Sequence, residues 1–376
     1  MNSRKMKVLH AIRQGKIGGG ETHVLDLVQE LNKADFESVV LAFTDGPLIT
    51  ELNKLGIKTH VILTEKPFNI SVWKKVKQLM VEERIDLLHA HGTRAQSNTF
   101  WGAKKLGIPI IYTVHGWSFH PNQHALVKKM RILSERFLVG KADATICVSA
   151  NNLAEGKSNF NMDRAVVIKN GINFSKFNAD FPFKNLRASF DINEESLIVG
   201  YIARITAQKD PFTFIEAVAK VPDDLNIKYL MIGDGDLKAQ SVELANQLKV
   251  GHKLIFGGFR QDIPELLNIF DVYCLPSLWE GLPIGLLEAM AMRKATISSA
   301  VNGTKEVIDD QLNGLLIEPK DAEGLANAII RLAAEKEFRV ELAKQAEIAV
   351  KKDYSISKMT LQIEDLYKKI KTDKSL

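Results

Sequence analysis

Two cations and two carboxylates in the second half of the chain carry the clearest chemistry. Arg204 and Lys209 bracket the turn Arg204-Ile-Thr-Ala-Gln-Lys-Asp210, which follows an apolar strand-like run and precedes a helix expected to start at Pro211. Cations beside the positive end of a helix suit a diphosphate. Further on, Glu280 falls in an approach loop and Glu288 eight residues later, inside a helix announced by Gly281 and Pro283. Two carboxylates so placed reach different parts of one ligand. Glu288 shares its helix with Leu, Ala and Met, and a carboxylate buried there is costly unless hydrogen-bond donors meet it; sugar hydroxyls are such donors.

In the first half, Gly15-Lys-Ile-Gly-Gly-Gly-Glu21 joins an opening strand to a helix. Its three consecutive glycines let backbone approach a ligand closely, and the following helix aims unpaired N–H groups at it. The loop is not Gly-x-Gly-x-x-Gly, since Thr22 and His23 follow the glycines, and no Gly-x-x-x-x-Gly-Lys-Ser/Thr occurs anywhere. Both absences weigh against simple dinucleotide oxidoreductases and P-loop ATPases. His89, His91, His115, His120 and His124 crowd one stretch of the same half. Such crowding raises a metal site, but no Asp/Glu-rich motif accompanies it, so the expectation is no metal and histidines bonded to backbone or substrate.

Elements able to position these groups are legible as short Val/Ile/Leu runs alternating with helix-period segments, the pattern of parallel sheets covered by helices on both faces. The fold class expected is α/β, with two doubly wound, Rossmann-like domains in tandem, facing across a cleft. The first spans 1–178 and the second 190–352, with an aperiodic, Asn- and Pro-bearing connection over 173–196 between them. In an open parallel sheet, ligands sit beyond the carboxyl ends of the strands, where the loops above lie. A final helix at 355–376, apolar at Met359, Ile363, Leu366 and Ile370, has one stripe to bury and is expected to cross back onto the first domain.

The chain has 376 residues, too many for one ordinary core, and its 45% hydrophobic and 25% charged content excludes fibrous and mainly disordered proteins. No apolar run approaches a membrane span, and Cys147 and Cys274 sit in apolar strand-like runs as small hydrophobes. A cytoplasmic location is expected. Residues 1–178 carry ten more cationic than anionic side chains, against a net charge of +5 for the whole chain. Lys74, Lys75, Lys77, Lys104, Lys105, Lys128, Lys129 and Arg131, with Ile70, Trp73, Phe100 and Trp101, predict a face that docks on an anionic inner membrane. No nucleic-acid motif is present, and no nucleic-acid partner is expected.

Taken in order, these segments resemble retaining nucleotide-sugar glycosyltransferases of the GT-B fold, glycosyltransferase family 4 (glycosyl transferases group 1) in particular. Pro276–Ala291 is similar to the paired-glutamate motif of that family. Also similar are Gly18-Gly-Gly-Glu21, Asp86-Leu-Leu-His-Ala-His-Gly92, Thr113-Val-His115-Gly116, Val167-Ile-Lys-Asn-Gly171, the Arg204/Lys209 pair, Leu230-Met-Ile-Gly-Asp-Gly235, Phe256-Gly-Gly-Phe259 and Asn313-Gly-Leu-Leu-Ile-Glu-Pro319. The resemblance implies a hexosyltransferase that moves sugar from a nucleoside-diphosphate sugar, UDP- or GDP-linked, to a glycan or lipid-pyrophosphate glycan, with retention and no metal or other cofactor. It implies that Arg204 and Lys209 bind the donor diphosphate, Glu288 the ribose and Glu280 the transferred sugar, assisted by Gly19, Gly20 and the backbone of Gly281 and Leu282. Phe259 and Arg260 would lie against the base. Gly18, His91 and His115 would meet the acceptor, and His115 with Glu280, Arg204 and Lys209 would form the catalytic set. Surface polysaccharide or lipopolysaccharide assembly is the implied setting. Two rivals share the pattern: a nucleotide-sugar 2-epimerase and a non-catalytic nucleotide-sugar binding protein.

Overall fold

The computed structural model describes residues 4–15, 18–120 and 123–374. The chain divides into two compact units, Met1–Gly171 together with Ile356–Leu376, and Ile172–Ser355. The first unit holds strands β1 (Met6–Ile12), β2 (Phe36–Ala42), β3 (Lys58–Val61), β4 (Leu87–His91), β5 (Ile110–Val114), β6 (Ala144–Cys147) and β7 (Ala165–Val167). They form one parallel sheet in the order β3-β2-β1-β4-β5-β6-β7. Between them run α1 (Gly19–Glu30), α2 (Pro47–Lys54), α3 (Ile70–Glu82), α4 (Thr93–Leu106), α5 (Ala125–Lys141) and α6 (Ala150–Lys157).

Because helices cover both faces, β1 is apolar without alternation, and its side chains split by turns between two layers. Leu9 and Ala11 join the core that includes α3 and α4, whereas Val8 and Ile12 pack on the opposite face. The same split recurs on β2 and β4.

The second unit repeats the plan with β8 (Leu197–Ile202), β9 (Ile227–Ile232), β10 (Leu254–Gly258), β11 (Val272–Leu275), β12 (Ala295–Ser299) and β13 (Leu315–Ile317). Its parallel order is β10-β9-β8-β11-β12-β13. The helices are α7 (Pro211–Lys220), α8 (Lys238–Gln247), α9 (Ile263–Ile269), α10 (Ile284–Ala291), α11 (Asn302–Lys305), α12 (Ala322–Ala334) and α13 (Lys336–Asp353). Entry and exit of the chain are joined: Ile172 N–H donates to the Tyr354 carbonyl at 2.7 Å, and Ile172 bridges Ser355.

The final helix, α14 (Ile356–Lys374), returns to the first unit, where Met359, Ile363, Tyr367 and Ile370 are buried with Val8, Leu27 and Leu87. The expected stripe is corrected at one position: Tyr367, not Leu366, occupies the buried line, and Leu366 packs at its edge. Tyr367 meets a polar partner under the sheet, its hydroxyl lying 2.5 Å from His89 Nδ1. That bond explains why a tyrosine serves there.

Three elements go beyond the apolar-run pattern. Helix α6 contains Asn151, Asn152 and Gly156, poor helix formers, and starts on a Ser149 cap that accepts from the Asn152 N–H. Helix α11 and strand β13 are four and three residues long, too short to show a period. The expected aperiodic connection holds one short 3-10 turn, Arg187–Phe190.

Replacing Ile363, fully buried in α14, by alanine is expected to destabilise the protein by about 2–5 kcal/mol, read as a lower midpoint in denaturant unfolding. No loss would mean that α14 does not carry the underside of the first sheet.

Candidate active site

Each sheet reverses direction beside its first strand, since β8 lies between β9 and β11, and β1 between β2 and β4. At such a switch point, successive crossovers leave to opposite sides and open a crevice beyond the strand ends. In the second unit the loops bounding that point are Ala203–Asp210, after β8, and Pro276–Pro283, after β11.

These two loops are stitched together. Leu278 N–H donates to the Gln208 carbonyl at 2.8 Å, Gln208 Nε2 donates to the Trp279 carbonyl at 2.9 Å, and Lys209 Nζ pairs with the Glu280 carboxylate. The pair is largely withdrawn from water, with 18% of the Lys209 side chain and 6% of the Glu280 side chain exposed. From the other side, the turn after β9 holds the Arg204 segment. Ile205 N–H donates to the Asp234 carbonyl at 3.0 Å, and Leu237 N–H to the Ile205 carbonyl at 3.0 Å. Only glycine permits this approach: a Cβ on Gly233 would stand 1.9 Å from the Ala203 oxygen, and one on Gly235 2.2 Å from the Ile205 oxygen. Arg204 is exposed, and its guanidinium has no ion-pair or hydrogen-bond partner among the described residues.

Asp210 departs from the sequence expectation. It caps α7, with Oδ2 accepting from Thr213 Oγ1 at 2.7 Å, so the N-terminus of α7 is already occupied by a carboxylate. The start of α10, by contrast, has no side-chain cap; Pro283 stands at its N-cap and Ile284 is its first residue. The helix end left for an anion is that of α10. Glu288 sits one turn further along α10 and is half-buried, less withdrawn from water than the buried carboxylate considered from its apolar helix. The charges of Glu288 and Glu280, after burial, help push the Tyr273 hydroxyl well above the usual phenol range. Tyr273 lies under the first turn of α10 and donates to the Ile202 carbonyl at 3.2 Å.

Gly281 and Leu282 are buried in the same loop. Helix α11 passes so close to it that a Cβ on Gly303 would lie 2.4 Å from the Gly281 oxygen. Gly303 and Gln208 are therefore part of the scaffold that sequence reading missed; Asn302-Gly-Thr directly after β12 was the available signal. Phe259 is exposed at the end of β10, whereas Arg260 is engaged by Asp262, Nε to Oδ1 at 2.8 Å, and lies over the Phe190 ring.

In the first unit, Gly18 caps α1 without a side chain, and Gly19 and Gly20 form its first turn, leaving the helix end open. Lys16 and Ile17 of the same loop lie outside the described residues. His91 ends β4, and His115 follows β5. A Cβ on Gly20 would rest 3.6 Å from His115 Cδ2, so the glycine turn lies against that ring. His91 Nδ1 and His115 Nε2 are 3.3 Å apart, and His23 stands edge-on to His115 with ring centroids 4.8 Å apart. His89 and His10 continue the cluster inward, as the register His10↔His89 requires.

Five histidines thus gather, but not the five that sequence crowding suggests. His120 is half-buried near Lys128 and Arg131, and His124 stands exposed at the N-cap position of α5 with no side-chain capping bond; in their place come His10 and His23, from β1 and α1. Burial lowers the pKa of His10 to about 3 and of His23 to about 4, and holds His89, His91 and His115 well below the usual range. All five rings are neutral at pH 7.

The apolar part of the expected docking face is also corrected. Phe100 is buried, and Trp73 and Trp101 stack on one another at 5.7 Å against the core; Ile70 alone of that group is exposed. Helix α5 instead turns Leu126, Met130, Leu133 and Phe137 to solvent, on one stripe with Val127 beside it. Lys129, Arg131 and Arg136 are exposed on the same helix. Its one carboxylate, Glu135, is buried, accepting from Thr93 Oγ1 at 2.7 Å and Tyr112 Oη at 2.9 Å. No helix among the described residues is long and apolar enough to cross a membrane.

Comparison with known proteins accounts for this arrangement. Residues 17–176 match the family described as Glycosyltransferase Family 4, and residues 182–348 the family described as Glycosyl transferases group 1. The UDP-Gal:alpha-D-GlcNAc-diphosphoundecaprenol alpha-1,3-galactosyltransferase of Escherichia coli is 26% identical over 96% of this chain and 97% of its own. N-acetyl-alpha-D-glucosaminyl L-malate synthase of Bacillus anthracis is 24% identical over 84% and 83%. Among solved structures, Anabaena HepE in complex with UDP and glucose superposes with a TM-score of 0.86, at 22% identity, over 96% of this chain and 99% of its own. The chain is a glycosyltransferase of the family 4, group 1 type, with the GT-B fold.

The buried histidines set a pH dependence. In the unfolded chain these rings take protons near 6.5, whereas in the folded unit His10 and His23 take them only near 3 and 4 and the other three well below the usual range, so the unfolded state binds more protons below about pH 6.5. Stability is therefore full above about pH 6.5 and falls as the pH drops toward 4. Denaturant midpoints at pH 7.5 and pH 5 read this directly: the midpoint is expected to be lower at pH 5, and an equal or higher one would contradict a neutral buried cluster.

Proposed function

We propose that this protein is a retaining, metal-independent transferase that moves a hexose from a UDP- or GDP-sugar to a glycan or lipid-pyrophosphate glycan. The observation that carries the reading is the convergence, at one switch point, of exposed Arg204, the Lys209–Glu280 pair, the uncapped start of α10 and Glu288. Arg204, Lys209 and the N–H groups opening α10 hold the diphosphate and stabilise the negative charge that grows on it as the sugar–oxygen bond breaks. Glu280, released from Lys209 when phosphate takes its place, accepts hydrogen bonds from sugar hydroxyls. Glu288 does the same for the ribose, and exposed Phe259 offers a face to the base. The acceptor hydroxyl joins the anomeric carbon on the side from which the diphosphate leaves, and its proton passes to the departing phosphate oxygen. His115 and His91, beside Gly18 at the open end of α1, contact the acceptor.

The lipid-linked acceptor in the name of the Escherichia coli relative supports a substrate of that kind here, within surface polysaccharide or lipopolysaccharide assembly. A cytoplasmic enzyme using such an acceptor must reach the inner leaflet. The stripe of α5, apolar with cations and no exposed carboxylate, is the surface suited to anionic lipid.

Glu280→Gln is expected to lower turnover by orders of magnitude while nucleotide binding, read by calorimetry, stays within a fewfold. Equal loss of both would remove Glu280 from its sugar role. Turnover is expected to survive chelation with EDTA, and its abolition would overturn metal independence. Sedimentation with vesicles is expected to rise with anionic lipid and to fall in Leu126→Glu/Met130→Glu; indifference to lipid charge would count against α5 as the membrane face.

A further inference from the structure

We propose that the rings of His23, His91 and His115 form a binding site for a divalent transition cation of the zinc class. The inference goes beyond the transfer reading and does not rest on it, and it departs from the expectation that these histidines serve backbone or substrate alone.

Two trios of ring nitrogens lie close enough to share an ion, His10/His89/His91 and His23/His91/His115, each with its ligand atoms within 4.8 Å of one another. Hydrogen bonding separates them. His89 is spent on both sides, with Nδ1 2.5 Å from Tyr367 Oη and Nε2 2.6 Å from Thr113 Oγ1, so the inner trio lacks its middle ligand. The outer trio is differently placed. His23 Nδ1 lies 3.1 Å from Asn170 Oδ1, an oxygen that only accepts, so the His23 proton sits on Nδ1. Its Nε2 is left as a bare lone pair, buried and with no partner among the described residues. A ring fixed by a carbonyl on one nitrogen and open on the other is the arrangement that metal-bound histidines show.

One pair of the trio already stands at bonding separation, and His23, within 4.8 Å, closes on it by a small ring movement. Zn–N bonds of about 2.0–2.1 Å in a tetrahedron hold ligand nitrogens roughly 3.3 Å apart. His91 Nδ1 and His115 Nε2 are 3.3 Å apart. In the metal-free protein one of these rings donates to the other; with an ion present, the donating ring takes its other tautomer and both lone pairs turn to the metal, so no proton need be lost. His91 Nε2 is also buried without a partner among the described residues, so this ring has lone-pair or N–H capacity that they leave unused. His23 and His91 are 4% and 2% exposed, whereas His115 is half-buried and is the member of the trio that solvent reaches. Three neutral imidazoles favour zinc, copper, nickel or cobalt over magnesium or calcium.

The test uses the full-length, tag-free protein stripped of metal, with Zn2+ titrated by calorimetry and Co2+ followed by its visible absorption. One equivalent is expected, with the intense bands of tetrahedral cobalt. His23→Gln and His115→Gln are each expected to weaken binding at least tenfold, and Asn170→Ala to weaken it about tenfold by freeing the His23 ring. His252→Gln, on an exposed histidine of the second unit, is expected to change nothing. Thermal melts without metal check that each variant folds; if His23→Gln does not, His115→Gln at the half-buried edge decides. Failure of the wild type to take up one equivalent at micromolar Zn2+, or uptake unaltered in the folded histidine variants, would overturn the site. Sugar transfer is read separately, in EDTA, because the transfer reading gives His91 and His115 to the acceptor; loss of metal uptake and loss of transfer are therefore distinguishable.

Discussion

A lysine ammonium and a glutamate carboxylate, both mostly shielded from water, face each other where two loops of the second unit meet. Burying either charge alone is expensive, and removing one partner of such a pair costs about 3–5 kcal/mol. The pair therefore constrains its surroundings: the loop after β8 and the loop after β11 must stay in register for the charges to remain matched. Gln208 supplies that register with two hydrogen bonds to the neighbouring loop, and Gly233 and Gly235 on one side and Gly303 on another allow backbone from two segments to close around the loops. A pair built this way is also exchangeable. A ligand that brings phosphate oxygens to the lysine and hydroxyls to the glutamate satisfies both charges without exposing either, which is the energetic core of the transfer reading.

The first unit places neutral groups where the second places charges. Five rings share one buried region, and burial keeps protons off them. The open helix end at Gly18 and Gly19 lies beside this cluster, through Gly20 against His115. An acceptor hydroxyl and a transition cation both find lone pairs at such a rim, so the two proposals for this unit draw on one property, imidazole held neutral and partly unpartnered. Beneath it, α14 closes the sheet, and Tyr367 extends the histidine network down to the helix that completes the core.

Much of this architecture was legible without coordinates. Buried parallel strands must be apolar along their whole length, so runs such as those of β1 and β11 announce themselves, and α12 shows its period plainly. Arg204, Lys209, Glu280 and Glu288 were legible because each is a polar residue next to a strand end or a helix start, where apolar periodicity leaves no structural use for it. Elements of three or four residues carry no period, and α6 depends on its Ser149 cap rather than on propensity.

By itself, then, the sequence determined two tandem α/β units, the strand-end loops that carry chemistry, and the family to which those loops belong, because periodicity and local turn chemistry are properties of neighbouring residues. Tertiary structure alone decided that Lys209 pairs with Glu280, that Asp210 takes the end of α7 and leaves α10 open, and that His10 and His23 replace His120 and His124 in the cluster. It also put Tyr367 in the buried stripe and the apolar face of α5 in solvent. Each of these depends on strand order and on which groups become desolvated together, and residues tens of positions apart meet only once the sheet has set its order.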